Sequence, residues 1–145
     1  MTRLAITTLA LVLLWAAGAW AATSVQVDDV RFDTPRKPDF KQGAIELKRH
    51  PVFWESDGNW LISVESLDPD LGTSDNGGYV KPLYDLQWRL TKSRTWYEMR
   101  QQPQDVTSGA PGRGSFTMDW RVLLDITRDR PGRYRAELRF TISEM

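Results

Sequence analysis

The stretch Gly132-Arg133-Tyr134-Arg135-Ala136-Glu137-Leu138-Arg139-Phe140-Thr141-Ile142-Ser143 alternates apolar and polar side chains over nearly its whole length. Successive side chains of a β-strand point to opposite faces of its sheet, so the pattern predicts one buried face and one solvated, largely cationic face. A shift of one residue would expose Phe140 and bury Arg139, so the register is firmly specified. Because the apolar face needs a second layer to cover it, this stretch predicts a layered β-protein.

Shorter alternating segments precede this stretch and are separated by turn signals such as Asp57–Gly58. The predicted strands cover residues 23–32, 44–49, 59–67, 83–90, 95–99, 116–124 and 132–143, and the predicted loops cover residues 34–42, 68–78 and 101–114. About seven strands without helical periodicity indicate an all-β fold, an antiparallel β-sandwich of immunoglobulin-like type, with a small closed barrel as the alternative. We expect the last two strands to form a hairpin, or else a connection that crosses between sheets.

The N-terminus has the pattern of a secretory signal peptide. Arg3 precedes an apolar run, and Ala19 and Ala21 fit an A-x-A cleavage site. We expect residues 1–21 to be removed and residues 22–145 to form a single domain, a retained N-terminal anchor being the alternative. The sequence contains no cysteine, which favours a bacterial exported protein of the periplasm or cell surface over a disulfide-linked secreted domain.

Charge and composition exclude several function classes. The 19 basic and 19 acidic residues balance, so there is no electrostatic case for nucleic-acid binding. His50 is the single histidine and stands before Pro51, which we expect to end a strand and to leave this histidine at the surface. One histidine without cysteine cannot form a zinc site, and no motif identifies a catalytic serine. The sequence therefore indicates a non-enzymatic protein.

Aromatic side chains are the first candidates for ligand binding. Trp54 and Trp96 lie where exposure is possible, with Tyr79 and Tyr97 as neighbours, and flat rings on a β-sandwich can stack on sugars. Trp60, Trp88 and Trp120 are in phase with the apolar faces of their strands, so we assign them to the core. For Trp54 and Trp96 we favour packing in the core or between the sheets over exposure.

A calcium site is the second candidate. The loop from Asp68 to Gly78 carries Asp68, Asp70, Asp75 and Asn76, whose oxygens are suitable ligands for a hard cation. The order of these residues departs from the EF-hand pattern, and ordinary turns use the same residue types. No other cofactor is expected.

The closing segment from Pro131 to Ser143 resembles the last strand of bacterial surface and pilin-like sandwiches, of the spore-coat-U and WxL types. The resemblance covers mainly residues 119–143. It implies an exported surface domain and transfers no functional residue.

These observations favour an exported, non-enzymatic envelope or surface domain with a structural or interaction role and a protein or glycan partner. The alternatives are a carbohydrate-binding module and a pilin-like subunit that assembles by donating a strand. The donor would be the segment Ala22–Phe32, with residues 34–42 as its hinge. We favour pairing of this segment within its own chain, because Asp28–Asp29 interrupts its apolar row.

Overall fold

The computed structural model describes residues 10–16 and 19–145, with side chains from residue 23 onward. The elements are β1 (Ala10–Ala16), β2 (Ala19–Val27), α1 (Lys37–Gln42), β3 (Ala44–Ser56), β4 (Trp60–Ser66), β5 (Asp70–Thr73), β6 (Val80–Pro82), a 3-10 turn (Leu83–Asp85), β7 (Leu86–Leu90), β8 (Tyr97–Glu98), β9 (Gln104–Gly109), β10 (Gly112–Leu123) and β11 (Leu138–Glu144). The strands pair antiparallel, so the all-β prediction is confirmed. Within these residues no helix combines the length and the apolar character that crossing a membrane requires.

The strands are arranged in three sheets. A six-stranded sheet has the order β1-β2-β3-β10-β7-β8, a three-stranded sheet has the order β11-β4-β9, and β5 pairs with β6. The two larger sheets share one core, in which Trp120 of β10 meets Phe140 of β11 edge to face with ring centroids 6.2 Å apart. We call the face of the six-stranded sheet that carries Trp120 its inner face and the opposite one its outer face.

The closing stretch has the predicted pattern of burial. From Gly132 to Ile142 buried residues alternate with solvent-accessible ones without a miss. Within this stretch the residues of β11 pair with β4 of the three-stranded sheet, which places Phe140 opposite Val64. The residues before β11 lie beside β5, where the Arg135 backbone N–H donates to the Leu71 carbonyl at 2.7 Å.

The prediction that the last two long strands form a hairpin is wrong. β10 pairs with β3 and β7, whereas β11 pairs with β4 in the other sheet. The chain therefore crosses between the sheets through residues 124–137, which was the alternative. Alternation could not decide between the two, because either sheet accepts a strand with one apolar face.

The prediction that a strand ends at Pro51 is also wrong, because β3 continues to Ser56. Pro51 lies just beyond Val52, the last β3 residue paired with β2, so no β2 carbonyl requires its missing N–H. His50 pairs with Met118 of β10 and is buried, at 8% exposure, rather than placed at the surface.

A β-bulge in β3 accounts for this placement. His50 pairs with Met118 and Leu47 with Trp120, which leaves two residues of β3, Lys48 and Arg49, opposite one residue of β10. Arg49 has a φ of 57°, and its backbone N–H donates to the Asp119 Oδ1 at 3.0 Å.

The three expected loops contain regular structure, so the described residues hold more than seven strands. The helix α1 lies within residues 34–42, with Pro38 in its first turn and Gly43 at its C-cap with a φ of 76°. β5 lies within residues 68–78 and buries Leu71 completely, and β9 lies within residues 101–114. These strands lack a long apolar alternation, so periodicity did not reveal them.

The strand β2, which contains the start of the segment Ala22–Phe32, pairs with β3 of its own chain, from Ser24 opposite Glu55 to Val27 opposite Val52. Val25, Val27, Val30 and Phe32 are all buried in the shared core. The predicted signal peptide includes β1 and the start of β2, and its residues 1–9 and 17–18 lie outside the described residues. Its removal stays a prediction.

Candidate functional site

A cleft lies between the segment that contains α1 and the connection from β10 to β11. Its volume is about 290 Å³. The apolar part of its wall consists of Pro35, Phe40, Leu124, Ile126, Pro131 and Tyr134. Lys81 and Asp129 supply polar groups to the same cleft. An apolar cleft with a few convergent polar groups is the usual appearance of a binding site, so we refer to this one as the cleft.

Local structure brings the polar groups of the cleft together. Lys81 is the middle residue of β6, and its neighbours Val80 and Pro82 are more exposed, so its side chain points inward. The 3-10 turn that follows returns Asp85 to the same place, four residues later. Asp129 comes from a tight turn after β10, closed by a 2.8 Å bond from its N–H to the Asp125 carbonyl.

The Lys81 ammonium group, whose residue is 1% exposed, has a complete set of acceptors. Its Nζ donates at 2.9 Å to the Asp85 Oδ2, the Asp129 Oδ2 and the Leu123 carbonyl. An ammonium group has three N–H donors, so each of them is used. The group is therefore a charged cross-link between three segments of the chain.

Two further side chains complete the cluster around Asp129. Arg128 forms ion pairs with Asp85 and, at 3.5 Å, with Asp129. The Tyr79 hydroxyl donates to the Asp129 Oδ1 at 2.8 Å. Two cationic and two anionic groups thus balance each other. We call these five residues, Tyr79, Lys81, Asp85, Arg128 and Asp129, the Lys81 cluster.

The environment fixes the charge states in the Lys81 cluster. Burial alone would raise the pKa of Asp129, but hydrogen bonds from the Asp125 backbone, Lys81 and Tyr79 outweigh it and hold that pKa below the ordinary 3.8. Burial, together with the hydrogen bond to Asp129, raises the pKa of Tyr79 well above 10. At neutral pH Asp129 is therefore ionised and Tyr79 is protonated, and neither group is suited to exchange a proton.

The structure separates the predicted sugar-binding residues. Trp54 packs on Trp60 of the three-stranded sheet, with ring centroids 4.4 Å apart, so it lies between the sheets. Trp54 pairs with Gly114 of β10. Six residues further along β10, Trp120 pairs with Trp88, and Trp88 in turn pairs with Tyr97. Six residues of strand span about 20 Å, so Trp54 and Tyr97 cannot contact one sugar ring. Tyr79 belongs to the Lys81 cluster.

Trp96 and Tyr97 point to opposite faces of the six-stranded sheet. Tyr97 stacks on Trp88 of the inner face with a centroid distance of 4.9 Å and is 46% exposed. Trp96 is half-buried on the outer face, where the guanidinium carbons of Arg89 and Arg121 each lie 4.3 Å from its ring centroid. Its ring therefore packs against two cations of its own chain.

The predicted calcium ligands bond to the backbone and are not gathered around one point. The Asp68 carboxylate accepts from the Glu137 N–H at 2.7 Å, and the Asp70 carboxylate accepts from the Gly72 N–H at 2.8 Å. The Asn76 amide oxygen accepts from the Gly78 N–H at 2.9 Å.

Asp75 bonds through its backbone N–H to the Pro131 carbonyl, whereas Asp68 and Asp70 line a groove together with Arg133 and Arg135. Within the described residues no three acidic, histidine or cysteine side chains converge as a metal site would require.

Sequence reasoning missed the Lys81 cluster. The one available signal was the spacing of four residues between Lys81 and Asp85, which is common for charged residues at surfaces. Arg128 and Asp129 stood in a turn-like segment, where charged residues are expected to be solvated.

Comparison with known proteins assigns no role to the cleft or to the Lys81 cluster. Their interpretation therefore rests on the bonding described above. No family model matches this chain, and no curated protein sequence matches it.

Proposed function

We propose that this chain is an exported, non-enzymatic structural or interaction domain of the bacterial cell envelope. We further propose that it folds as a β-sandwich with an immunoglobulin-like arrangement. Two antiparallel sheets with a shared core support the architecture, and the apolar run before Ala22 supports export.

The saturation of the Lys81 ammonium group is the observation that carries the non-enzymatic role. A catalytic amine needs a lone pair or a proton to give, and a general base needs an accessible lone pair near neutral pH. In the Lys81 cluster the three N–H groups of the ammonium donate to fixed acceptors, and both oxygens of Asp129 accept hydrogen bonds. The cluster ties β6, the 3-10 turn and the β10–β11 connection together.

A carbohydrate-binding module ranks second. The candidate residues Trp54, Trp96, Tyr79 and Tyr97 occupy separate places, and only Tyr97 presents much of its ring to solvent. A glycan array of the purified protein, with Trp54→Ala and Tyr97→Ala variants, tests this alternative. Saccharide binding that either variant loses would place it first.

Export is tested with the full-length gene, including its own leader, in a bacterial host. We expect the periplasm or the medium to contain a chain that begins at Ala22, measured by N-terminal sequencing and intact mass. A cytosolic chain that retains Met1 would contradict the proposal.

The absence of enzymatic activity is tested with chromogenic esters, phosphoesters, glycosides and peptides. We expect no turnover above the buffer rate. Turnover that Asp129→Asn abolishes, while circular dichroism shows that the variant remains folded, would overturn the non-enzymatic role.

A further inference from the structure

The edge of β2 changes when the predicted leader is removed. In the structure β1 pairs antiparallel with β2, with Leu13 opposite Ala22 and Ala10 opposite Val25. β1 lies wholly within the leader that we propose to be cleaved, so this inference rests on that proposal. The processed chain would keep the pairing of β2 with β3 and expose the backbone groups on the opposite edge of β2.

The other edge strands of the two larger sheets carry features that discourage pairing. In the described part of the chain β8 has only two residues, one of them Glu98. β9 contains Asp105 and a register shift opposite β4, and β11 contains Arg139 and Glu144. Charges, short strands and irregularities protect edges from association.

The processed part of β2 lacks such protection. Its segment Ala-Thr-Ser-Val-Gln-Val, residues 22–27, contains no charged side chain and no proline. On the outer face next to this edge, Phe53 lies opposite Gln26 and is 50% exposed. An uncharged edge strand beside an exposed aromatic ring has the character of an interface.

We propose that the β2 edge of the processed chain pairs antiparallel with β2 of a second copy, so that the large sheet continues across a two-fold axis. An axis at Val25 places Thr23 opposite Val27 and Ser24 opposite Gln26. Thr23, Val25 and Val27 belong to the buried face of β2, so the buried rows of the two copies coincide. This pairing uses the same patch on both copies, as a two-fold dimer requires.

Charge complementarity supports a second copy as the occupant. The same register places Ala22 of each copy opposite Asp28 of the other. Cleavage creates an amino group at Ala22 that is mostly protonated at neutral pH, and Asp28 is exposed directly after β2. Each copy therefore supplies a cation for the other's carboxylate, at both ends of the paired segment.

The test uses the processed protein, purified after export from the full-length gene. N-terminal sequencing first establishes a start at Ala22, so a failure of export is recognised before association is measured. Light scattering after size exclusion and sedimentation equilibrium over a concentration series then give the mass. We expect the mass of two chains at high concentration.

Charge substitutions identify the interface. In a variant with both Ser24→Lys and Gln26→Lys, like charges face each other across the axis, so we expect the mass of one chain. Mixing it with a variant that has Ser24→Glu and Gln26→Glu should restore the mass of two. The matched control is Ser108→Lys on the edge strand β9, which should leave the mass of the dimer unchanged.

Three results would overturn the proposal. The first is a processed protein with the mass of one chain at every concentration. The second is a two-chain mass that persists when both lysines are present, which would place the interface elsewhere. The third is a ladder of higher masses, which would indicate head-to-tail strand donation.

Discussion

Lys81 shows how one side chain can hold distant segments together. Removing one partner of a buried, hydrogen-bonded charge cluster leaves the others uncompensated, at a cost of roughly 3–5 kcal/mol. We therefore expect Lys81→Met to lower the free energy of unfolding by about that amount, because Asp85 and Asp129 lose their shared cation. Urea titration followed by circular dichroism measures the change.

The matched control is Lys92→Met, because Lys92 is exposed in the turn after β7. A surface substitution of this kind should change the free energy of unfolding by less than about 0.5 kcal/mol. Equal stabilities of the Lys81 and Lys92 variants would show that the Lys81 cluster is not a structural cross-link.

His50 predicts a dependence of stability on pH. Burial lowers its pKa from the ordinary 6.5, and the negative charge of Asp28, which acts in the opposite direction, does not compensate. The unfolded chain then binds a proton more readily than the folded one, so stability is complete above pH 6.5 and declines as the pH falls below it. The steepest slope for one group is about 1.4 kcal/mol per pH unit.

Melting temperatures at pH 7.5, 6.5 and 5.5 measure this dependence, and His50→Leu should reduce the slope in that window. The acidic groups provide an internal contrast. Asp119 and Asp129 have lowered pKa values, so their contribution to stability is lost only below about pH 4. A variant that keeps the full slope between pH 6.5 and 5.5 would assign the effect to other groups.

The bulge in β3 is the element with a strained residue. Arg49 has a φ of 57°, which costs a non-glycine residue roughly 1–2 kcal/mol, and its side chain is exposed. We expect Arg49→Gly to raise the free energy of unfolding by roughly 0.5–1 kcal/mol, because glycine adopts this conformation without the clash.

The neighbouring Lys48 is the matched control, since it is exposed in the same bulge and does not have a positive φ. Lys48→Gly should lower the free energy of unfolding by roughly 0.5–1 kcal/mol. Opposite signs in denaturant titrations of the two variants are the expected result. A loss of stability in both would mean that the Arg49 backbone is not strained.

Several elements could be predicted because their alternation is long. The buried rows of β4, β10 and the closing stretch follow from the alternation of apolar and polar residues. Pairing partners did not follow, since an apolar face specifies burial and not the sheet that provides it. The bulge could not be read either, because His50 and Pro51 look like a strand end until Asp119 is seen to bind the Arg49 N–H.

The Lys81 cluster could not be predicted from sequence periodicity, for a different reason. Lys81 and Asp85 come from one segment and Asp129 from another, and the burial of these charges becomes tolerable only when the two segments meet. A single charged residue in a sequence is assigned to the surface by default. The cation–π contacts of Trp96 with Arg89 and Arg121 could not be predicted either, because these residues belong to separate segments of the chain.

At the scale of the whole molecule, the N-terminal segment of the processed chain is part of the core. Thr23, Val25 and Val27 of β2 face inward, and Val30 and Phe32 are buried beyond it. Fully burying the four apolar side chains among them contributes roughly 1.5–3 kcal/mol each. Their sum is comparable to the whole stability of a typical domain, about 5–15 kcal/mol.

Deleting residues 22–32 should therefore abolish cooperative unfolding, whereas removal of the leader alone should not. Differential scanning calorimetry of the exported protein, processed at Ala22 or lacking residues 22–32 behind the same leader, measures this difference. We expect one heat-absorption peak for the first protein and none for the second, because β3 loses the strand that pairs with its edge and the core loses four buried apolar side chains. A deletion variant that melts cooperatively within a few degrees of the processed protein would show that these residues lie outside the core and are available for donation to a neighbour.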